Sequence, residues 1–358
     1  MHIETPSYDA AASVRISDLL AEHFAAAGAS VERTRTDAGI HLVADIAGAG
    51  DPWLLVGHTD TVWPTGSLTG AVPWSVSGDV VRGPGAFDMK AGIVVMLLAL
   101  TRIRPLPVAE RRAVRVVLVC DEEVGSPEST PLLRESALGA AAVLGFESPH
   151  PDGAFKVGRR GSTRVRLSVT GRAAHAALDP ENGISAVDEL VDQLIRVRAI
   201  TASDALPGPV LCNTGTVSGG SRTNVVAARA EAELGLRFTD PQTERIVLAD
   251  LAGLTPLRDG AVVHAEVLSS RPAWLASAGD EALLRSISAA ASDLGQHIEG
   301  RPAAGAGDTN LLGSLGIPTV DGFGPQGAGA HSTDEHFLLS SLMKRVELLS
   351  ALLRLGES

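Results

Sequence analysis

Apolar residues recur along this chain at two different spacings, and the change of spacing divides it. Leu19, Leu20, Phe24 and Ala27 share one face of a helix predicted over 16–27. Short apolar runs at 41–47, 53–57, 116–119 and 142–146 read as strands. Between the second and third of these, residues 89–103 carry Ile93, Val94, Val95, Met96, Leu97, Leu98 and Leu100 almost without polar interruption, which predicts a helix buried on nearly all sides. Strands separated by helices are those of a mainly parallel sheet. After Gly161 the spacing becomes strict alternation. Val165, Leu167 and Val169 face one way while Arg164, Arg166 and Ser168 face the other, and Ala228, Ala230, Ala232, Leu234, Leu236 and Phe238 repeat the pattern. Such alternation predicts antiparallel strands with one wet face. An amphipathic helix over 182–197 and a strand over 210–217 belong to the same stretch. From Trp274 the helical and parallel-strand signals return, at 282–294, 318–323 and 337–355. The pattern therefore predicts an α/β fold. One discontinuous domain with a mainly parallel central sheet, residues 1–160 and 272–358, would be interrupted by a smaller α+β domain over 161–271.

Composition narrows this picture. A chain of 358 residues exceeds the usual size of one hydrophobic core, so two domains agree with length as well as with pattern. The net charge of −12 lacks the basic footprint that nucleic acid requires. No apolar run approaches the roughly 20 residues needed to span a bilayer, so no membrane partner is expected. The opening residues Met1-His2-Ile3-Glu4-Thr5-Pro6 have neither a basic nor an apolar signal region. Cys120 and Cys212 are too few for a disulfide framework, and a cytoplasmic location is expected.

The candidate chemistry sits at strand ends. Leu54-Leu55-Val56-Gly57 runs into His58, with Asp60 two residues on; Val116-Val117-Leu118-Val119 runs into Cys120-Asp121-Glu122-Glu123; Ala142-Val143-Leu144-Gly145-Phe146 runs into Glu147. Ligands of open α/β sheets gather at the carboxyl ends of strands, so these groups are best explained by one shared site. Asp88 precedes the buried helix, where it could cap the helix as well as ligate. His331 lies among Gly327, Gly329, Ser332 and Thr333, with no apolar face to fill. Two imidazoles and three carboxylates can hold two divalent ions if one carboxylate bridges. Zn²⁺ is the expected ion, and Co²⁺ or Mn²⁺ could take its place. Glu122, beside a ligand, is placed to serve as a base.

Four segments carry a resemblance. Gly57-His58-Thr59-Asp60-Thr61-Val62, Gly83-Pro84-Gly85-Ala86-Phe87-Asp88-Met89-Lys90, Asp121-Glu122-Glu123-Val124-Gly125-Ser126 and Gly329-Ala330-His331-Ser332-Thr333-Asp334-Glu335 resemble the successive signatures of the M20 metallopeptidases. The spelling His-Thr-Asp-Thr-Val-Trp-Pro at 58–64 is most similar to the glutamate carboxypeptidase branch. The resemblance implies that His58 and Glu147 hold one ion, Glu123 and His331 the other, and that Asp88 bridges them across a cis peptide to Met89. It makes Glu122 the general base and Asp60 the group that orients His58. It also implies that the inserted domain is ferredoxin-like and pairs two copies into a homodimer, with His175 polarising the scissile carbonyl across the dimer. Asn224 matches a substrate-contacting asparagine, Arg271 the arginine that clasps an α-carboxylate, and Lys156 a residue contacting an acidic side chain. Lys156, Arg159, Arg160, Arg164 and Arg166 also concentrate positive charge near the domain junction, although a solvated strand face would look the same.

The activity so implied is hydrolysis of an amide in a small peptide or N-acyl amino acid with a free carboxylate, releasing a C-terminal amino acid in the manner of a glutamate carboxypeptidase. Two alternatives stay open at this point: an N-acyl-amino-acid amidohydrolase (aminoacylase or deacetylase), and a non-catalytic binding protein on the same fold. A serine hydrolase is disfavoured because no Gly-x-Ser-x-Gly occurs.

Overall fold

The computed structural model describes residues 2–355 and divides the chain into two compact units. The first comprises Met1–Gly158, Ala276–Ala303 and Gly307–Ser358; the second comprises Arg159–Leu275 together with Ala304–Ala306. The second unit thus begins two residues before 161 and ends four residues after 271, and a short later segment joins it. Hydrogen bonding accounts for these bounds. Arg159 N–H donates to Trp274 O (2.8 Å), Trp274 N–H donates to Arg159 O (3.0 Å), and Arg159 Nε reaches Gly305 O (2.7 Å).

In the first unit, six strands form a sheet in the order Ser30–Arg35, Ile40–Ile46, Arg112–Val119, Ala49–His58, Ala142–Gly145, Thr319–Val320. The three pairings on the Thr319–Val320 side are parallel, and the two on the other side antiparallel. The central strands read as unbroken apolar runs because both faces are covered. Leu55, Val116 and Leu118 pack on one side with Met96, Leu100 and Leu349; Leu54, Val56, Val117 and Val119 pack on the other with Leu133 and Leu312. The edge strand Ser30–Arg35 gave no signal in the sequence, since five of its six residues are exposed.

The helix expected from residue 89 begins at Ala91 and runs to Ile103. Gly92 lets it press against the neighbouring strand end, because a Cβ there would lie 2.3 Å from Phe146 O. Register matters more for function. His58 stands opposite Val119, and Val56 opposite Gly145. Three adjacent parallel strands therefore end at one level, and the residues that follow them emerge together.

The second unit runs strand, helix, strand, strand, helix, strand. Its strands are Gly161–Thr170, Val210–Gly219, Arg229–Phe238 and Val262–Arg271, and its helices are Ala186–Thr201 and Pro241–Ala252. The sheet order places 161–170 and 229–238 in the centre, flanked by 262–271 and 210–219, with every pairing antiparallel. This is the ferredoxin-like arrangement. Val165, Leu167, Val169, Leu234, Leu236 and Phe238 form a core with Leu190 and Val247 of the helices. Ser185 and Asp240 cap those helices by accepting from Asp188 N–H and Thr243 N–H. Among the described residues, no helix is long and apolar enough to cross a membrane.

Candidate metal centre

The three aligned strand ends deliver most of the site. His58 is the last residue of its strand, Glu122 and Glu123 lie in the 3-10 turn after Arg112–Val119, and Glu147 follows Ala142–Gly145 by two residues. Asp88 comes from the irregular turn before the buried helix, where the Asp88–Met89 peptide is cis. It does not cap that helix: Lys90 occupies the cap position and no side-chain cap bond is made. His331 sits in the loop between Gly327–Ala328 and His336–Leu338, with φ at 63°.

These residues form two ligand groups with one member in common. His58, Asp88 and Glu147 make one, and Asp88, Glu123 and His331 the other. His58 Nε2 lies 3.4 Å from Asp88 Oδ1 and 3.5 Å from Glu147 Oε1. His331 Nε2 lies 3.2 Å from Asp88 Oδ2 and 3.3 Å from Glu123 Oε2. Asp88 thus presents one oxygen to each histidine. Two donors each about 2.0–2.2 Å from a tetrahedral ion stand roughly 3.3–3.6 Å apart, and the four distances here, 3.2–3.5 Å, lie in or close to that range. Two buried atoms support the same fit, because His58 Nε2 and Glu123 Oε1 have no hydrogen-bond partner. Orphaned buried polar atoms are costly unless a ligand satisfies them.

Hydrogen bonding fixes the chemistry of His58. Its Nδ1 lies 2.9 Å from the main-chain oxygen of Asp60, which can only accept. Nδ1 therefore carries a proton, and Nε2 is the nitrogen that turns toward Asp88 and Glu147. The Asp60 carboxylate, expected to orient the imidazole, is more distant from it, 3.4 Å from Nδ1. That carboxylate instead accepts from Glu122 N–H and Glu123 N–H, each at 3.1 Å, and from Ser7 Oγ at 2.7 Å. Asp60 positions all three neighbours, His58 through its carbonyl and the two glutamates through its side chain. Glu122 is buried at 7% exposure.

Without metal, the acidic surroundings hold protons on both imidazoles. Burial disfavours charge on His58, but the close Asp60 and Asp88 carboxylates, with Glu147 and Glu122 nearby, raise its pKa well above the ordinary value. Hydrogen bonds to Asp88 and Glu123 push His331 up to about 10. Asp88 is desolvated, yet the two histidines depress its pKa strongly. Burial, and then the Asp88 charge, raise Glu147 well above the usual carboxylate range.

The expected substrate residues fall in both units. Lys156 belongs to the first, half-buried and paired through its main chain with Asp321. His175, Asn224 and Arg271 belong to the second. His175 and Asn224 lie on adjoining exposed segments, joined by Ala176 N–H to Asn224 O at 3.0 Å. His175 Nδ1 accepts from Ala177 N–H and Leu178 N–H, both at 3.2 Å, so its Nε2 carries the proton and can donate. Arg271 ends its strand opposite Ser162. Arg164 and Arg166 each pair with Glu233 at 2.9 Å, which makes them a solvated strand face.

Sequence reasoning gave no role to Ser7 or Glu335. Ser7 lies outside the four motif segments and offered no signal, whereas Glu335 closes the segment that carries His331, and that position was its only signal.

Two imidazoles and three carboxylates gathered at the carboxyl ends of parallel strands, beside a buried glutamate, are the equipment of a metallohydrolase. Residues 54–355 match peptidase family M20/M25/M40, and the chain belongs to that family. It is an enzyme of the hydrolase class. It is 29% identical to carboxypeptidase G2 of Pseudomonas sp. (strain RS-16), covering 99% of this chain and 86% of that protein. It is also 29% identical to succinyl-diaminopimelate desuccinylase of Methylorubrum populi, covering 90% of this chain and 88% of that one. Among solved structures, a tripeptidase of Staphylococcus aureus aligns with a TM-score of 0.73 at 22% identity, covering 98% of this chain and 94% of its own. The Bacillus subtilis YXEP protein, described as a dinuclear metal-binding peptidase of the M20 family, aligns with a TM-score of 0.65 at 15% identity, covering 98% and 94%.

Proposed function

We propose that this enzyme binds two divalent metal ions and hydrolyses the amide bond that precedes a C-terminal amino acid, of glutamate type by preference. The observation that carries this reading is the pair of ligand groups sharing Asp88, with buried Glu122 held beside them. His58 and Glu147 would hold one ion, Glu123 and His331 the other, and Asp88 both, with zinc the expected metal. When bound, such ions supply Lewis acidity and lower the pKa of water toward about 7. Glu122 takes the proton from the attacking water and hands it to the leaving amine. Asp60 holds Glu122 and Glu123 in place through their main-chain amides. His175, with its proton on Nε2, donates to the oxygen of the scissile carbonyl from the partner copy of a homodimer paired through the second unit. Arg271 clasps the α-carboxylate, a task that suits a planar guanidinium, while Asn224 and Lys156 contact the rest of the substrate. A cytoplasmic setting agrees with two cysteines that are both unpaired.

A second reading has specific support. The desuccinylase matches at the same identity as the carboxypeptidase, which keeps an N-acyl-amino-acid amidohydrolase as the runner-up. One screen separates the two. Metal-loaded enzyme is offered N-acyl and peptidyl derivatives of glutamate, aspartate, glutamine and neutral amino acids, each with a free and an amidated α-carboxylate. Glutamyl compounds with a free carboxylate should be turned over fastest. Losing a charged hydrogen bond costs about 1.5–3 kcal/mol, so amidation should reduce kcat/KM by roughly ten- to a hundredfold. Equal rates on free and amidated substrates would leave only a general amidohydrolase.

A further inference from the structure

The loops carrying Asp88 and His331 flank the central pairing of a small four-stranded sheet. His336–Leu338 pairs antiparallel with Val80–Arg82, and His336 stands opposite Arg82. The chain leaving Arg82 enters the turn that contains Asp88, while the chain reaching His336 comes from the loop that contains His331. Glu335 lies where these two loops meet.

Its side chain is fully buried, at 0% exposure. A carboxylate survives there only if donors saturate its oxygens. Oε1 accepts from the main-chain N–H groups of Phe87 (2.9 Å) and Asp88 (3.1 Å). Oε2 accepts from Gly85 N–H (3.1 Å) and from Trp63 Nε1 (2.5 Å). Three of the four donors therefore belong to the turn that presents Asp88. Gly85 can offer its amide because it has no Cβ: its φ is +67°, and a Cβ would lie 2.3 Å from Thr61 Cγ2.

We infer that Glu335 is a positioning residue for the metal centre: by gripping the Gly85, Phe87 and Asp88 amides, it aims the Asp88 carboxylate and ties that turn to the His331 loop, so that both ligand groups keep their common member. This rests on the reading that ions bind there. Nothing in the charge of Glu335 is needed to fill the core, since an apolar residue would do that better. Its acceptors face the main chain of one ligand turn, and its own main chain leads to the other ligand loop. Trp63, three residues beyond Asp60, joins the segment after His58 to the same carboxylate.

Three variants test the inference. Glu335→Gln keeps the shape but turns an NH₂ group toward two donors, so two of the four bonds fail in either amide orientation. Glu335→Asp keeps both acceptors with a shorter reach. Trp63→Phe removes one donor and leaves the three main-chain bonds. Zinc binding is followed by equilibrium dialysis, the cobalt-loaded protein by its visible absorption, and the metal-free protein by thermal melting. The wild type should bind two equivalents. In Glu335→Gln, affinity for the weaker equivalent should fall about 10–100-fold, the range known for residues that orient metal ligands. The cobalt spectrum should change, and kcat should fall by more than KM moves. Glu335→Asp should recover part of each loss, and Trp63→Phe should shift each less in the same direction. If Glu335→Gln cannot be recovered folded, the other two variants decide by the same measurements. Two equivalents bound at wild-type affinity with an unchanged cobalt spectrum, in every variant that folds, would overturn the inference, even where the metal-free protein melts lower. A wild-type protein that binds no ions would instead overturn the proposed function.

Discussion

At the scale of single residues, neighbouring groups with the same side chain stand differently toward the candidate ligand groups. Glu122 and Glu123 are adjacent, yet Glu123 Oε2 lies 3.3 Å from His331 Nε2 while Glu122 belongs to neither ligand group. Glu122→Gln should therefore leave metal content near wild type while kcat falls about 10²–10⁴-fold, because only proton transfer is lost. Glu123→Gln should weaken metal retention. Atomic emission analysis of the dialysed variants, set beside their kinetics, distinguishes the two, and exchanged phenotypes would reverse the roles. Protonation gives a second prediction. The raised pKa of His331, about 10 in the metal-free protein, lies above the roughly 6.5 of an unfolded histidine. The stabilisation it contributes is fully present below about pH 6.5 and disappears as pH rises through about 10. Its partners Asp88 and Glu123 hold that proton until an ion displaces it, and His58 must likewise release the proton on Nε2. Loading the metal-free protein at pH 7–8 should release about one proton per imidazole, and affinity should climb between pH 6 and 9. Calorimetry in two buffers of different ionisation enthalpy measures the release, and identical heats in both would contradict it.

At the scale of elements, the site was legible where strong apolar runs ended in polar residues. His58, Glu123 and Glu147 could each be placed at a strand end from pattern alone, and the register of the three parallel strands brings those ends level. Asp88 and His331 gave no such signal, because each lies on an irregular loop. Their immediate neighbours made both candidates, the motif resemblance gave each its place in the ligand set, and only hydrogen bonding shows how they are held. Strand Ser30–Arg35 was invisible because its exposed edge carries no periodicity, and the start of helix Ala91–Ile103 was missed by two residues because Asp88 looked like a cap. Close approach between elements is harder still to see in a sequence, and Gly92 is the instance nearest the site. Gly92→Ala would set a methyl against Phe146 O and Met89 Cε, at 2.3 and 2.6 Å before relaxation. Overpacking of this kind costs about 1–3 kcal/mol. The urea midpoint of the variant should fall at an unchanged m-value. Because Phe146 immediately precedes Glu147 and Met89 follows Asp88, metal affinity should fall with it. A variant as stable and as metal-loaded as the wild type would show that helix and strand end can part without consequence.

At the scale of the whole molecule, the proposed chemistry is divided between the two units. The proposed ligands, Asp60 and Glu122 belong to the first unit, and His175, Asn224 and Arg271 to the second. If His175 serves the active site of a partner copy, two inactive variants should repair one another. His175→Ala protein keeps a sound Glu122 and metal set but gives its partner no oxyanion donor. Glu122→Gln protein lacks the base but still offers His175. In a mixed dimer, one active site draws Glu122 from the first chain and His175 from the second, while the other site has neither. Random pairing of equal amounts makes half the dimers mixed, so about a quarter of all sites should work, provided the copies exchange through a two-fold interface. Activity should rise from near zero toward about a quarter of wild type after the variants are mixed under conditions that allow exchange. It should not rise when each protein is first cross-linked with its own kind. If His175 acts within its own chain, no mixture regains activity, because every site then lacks either the base or the donor. Sedimentation of the same mixtures distinguishes failure to pair from failure to complement.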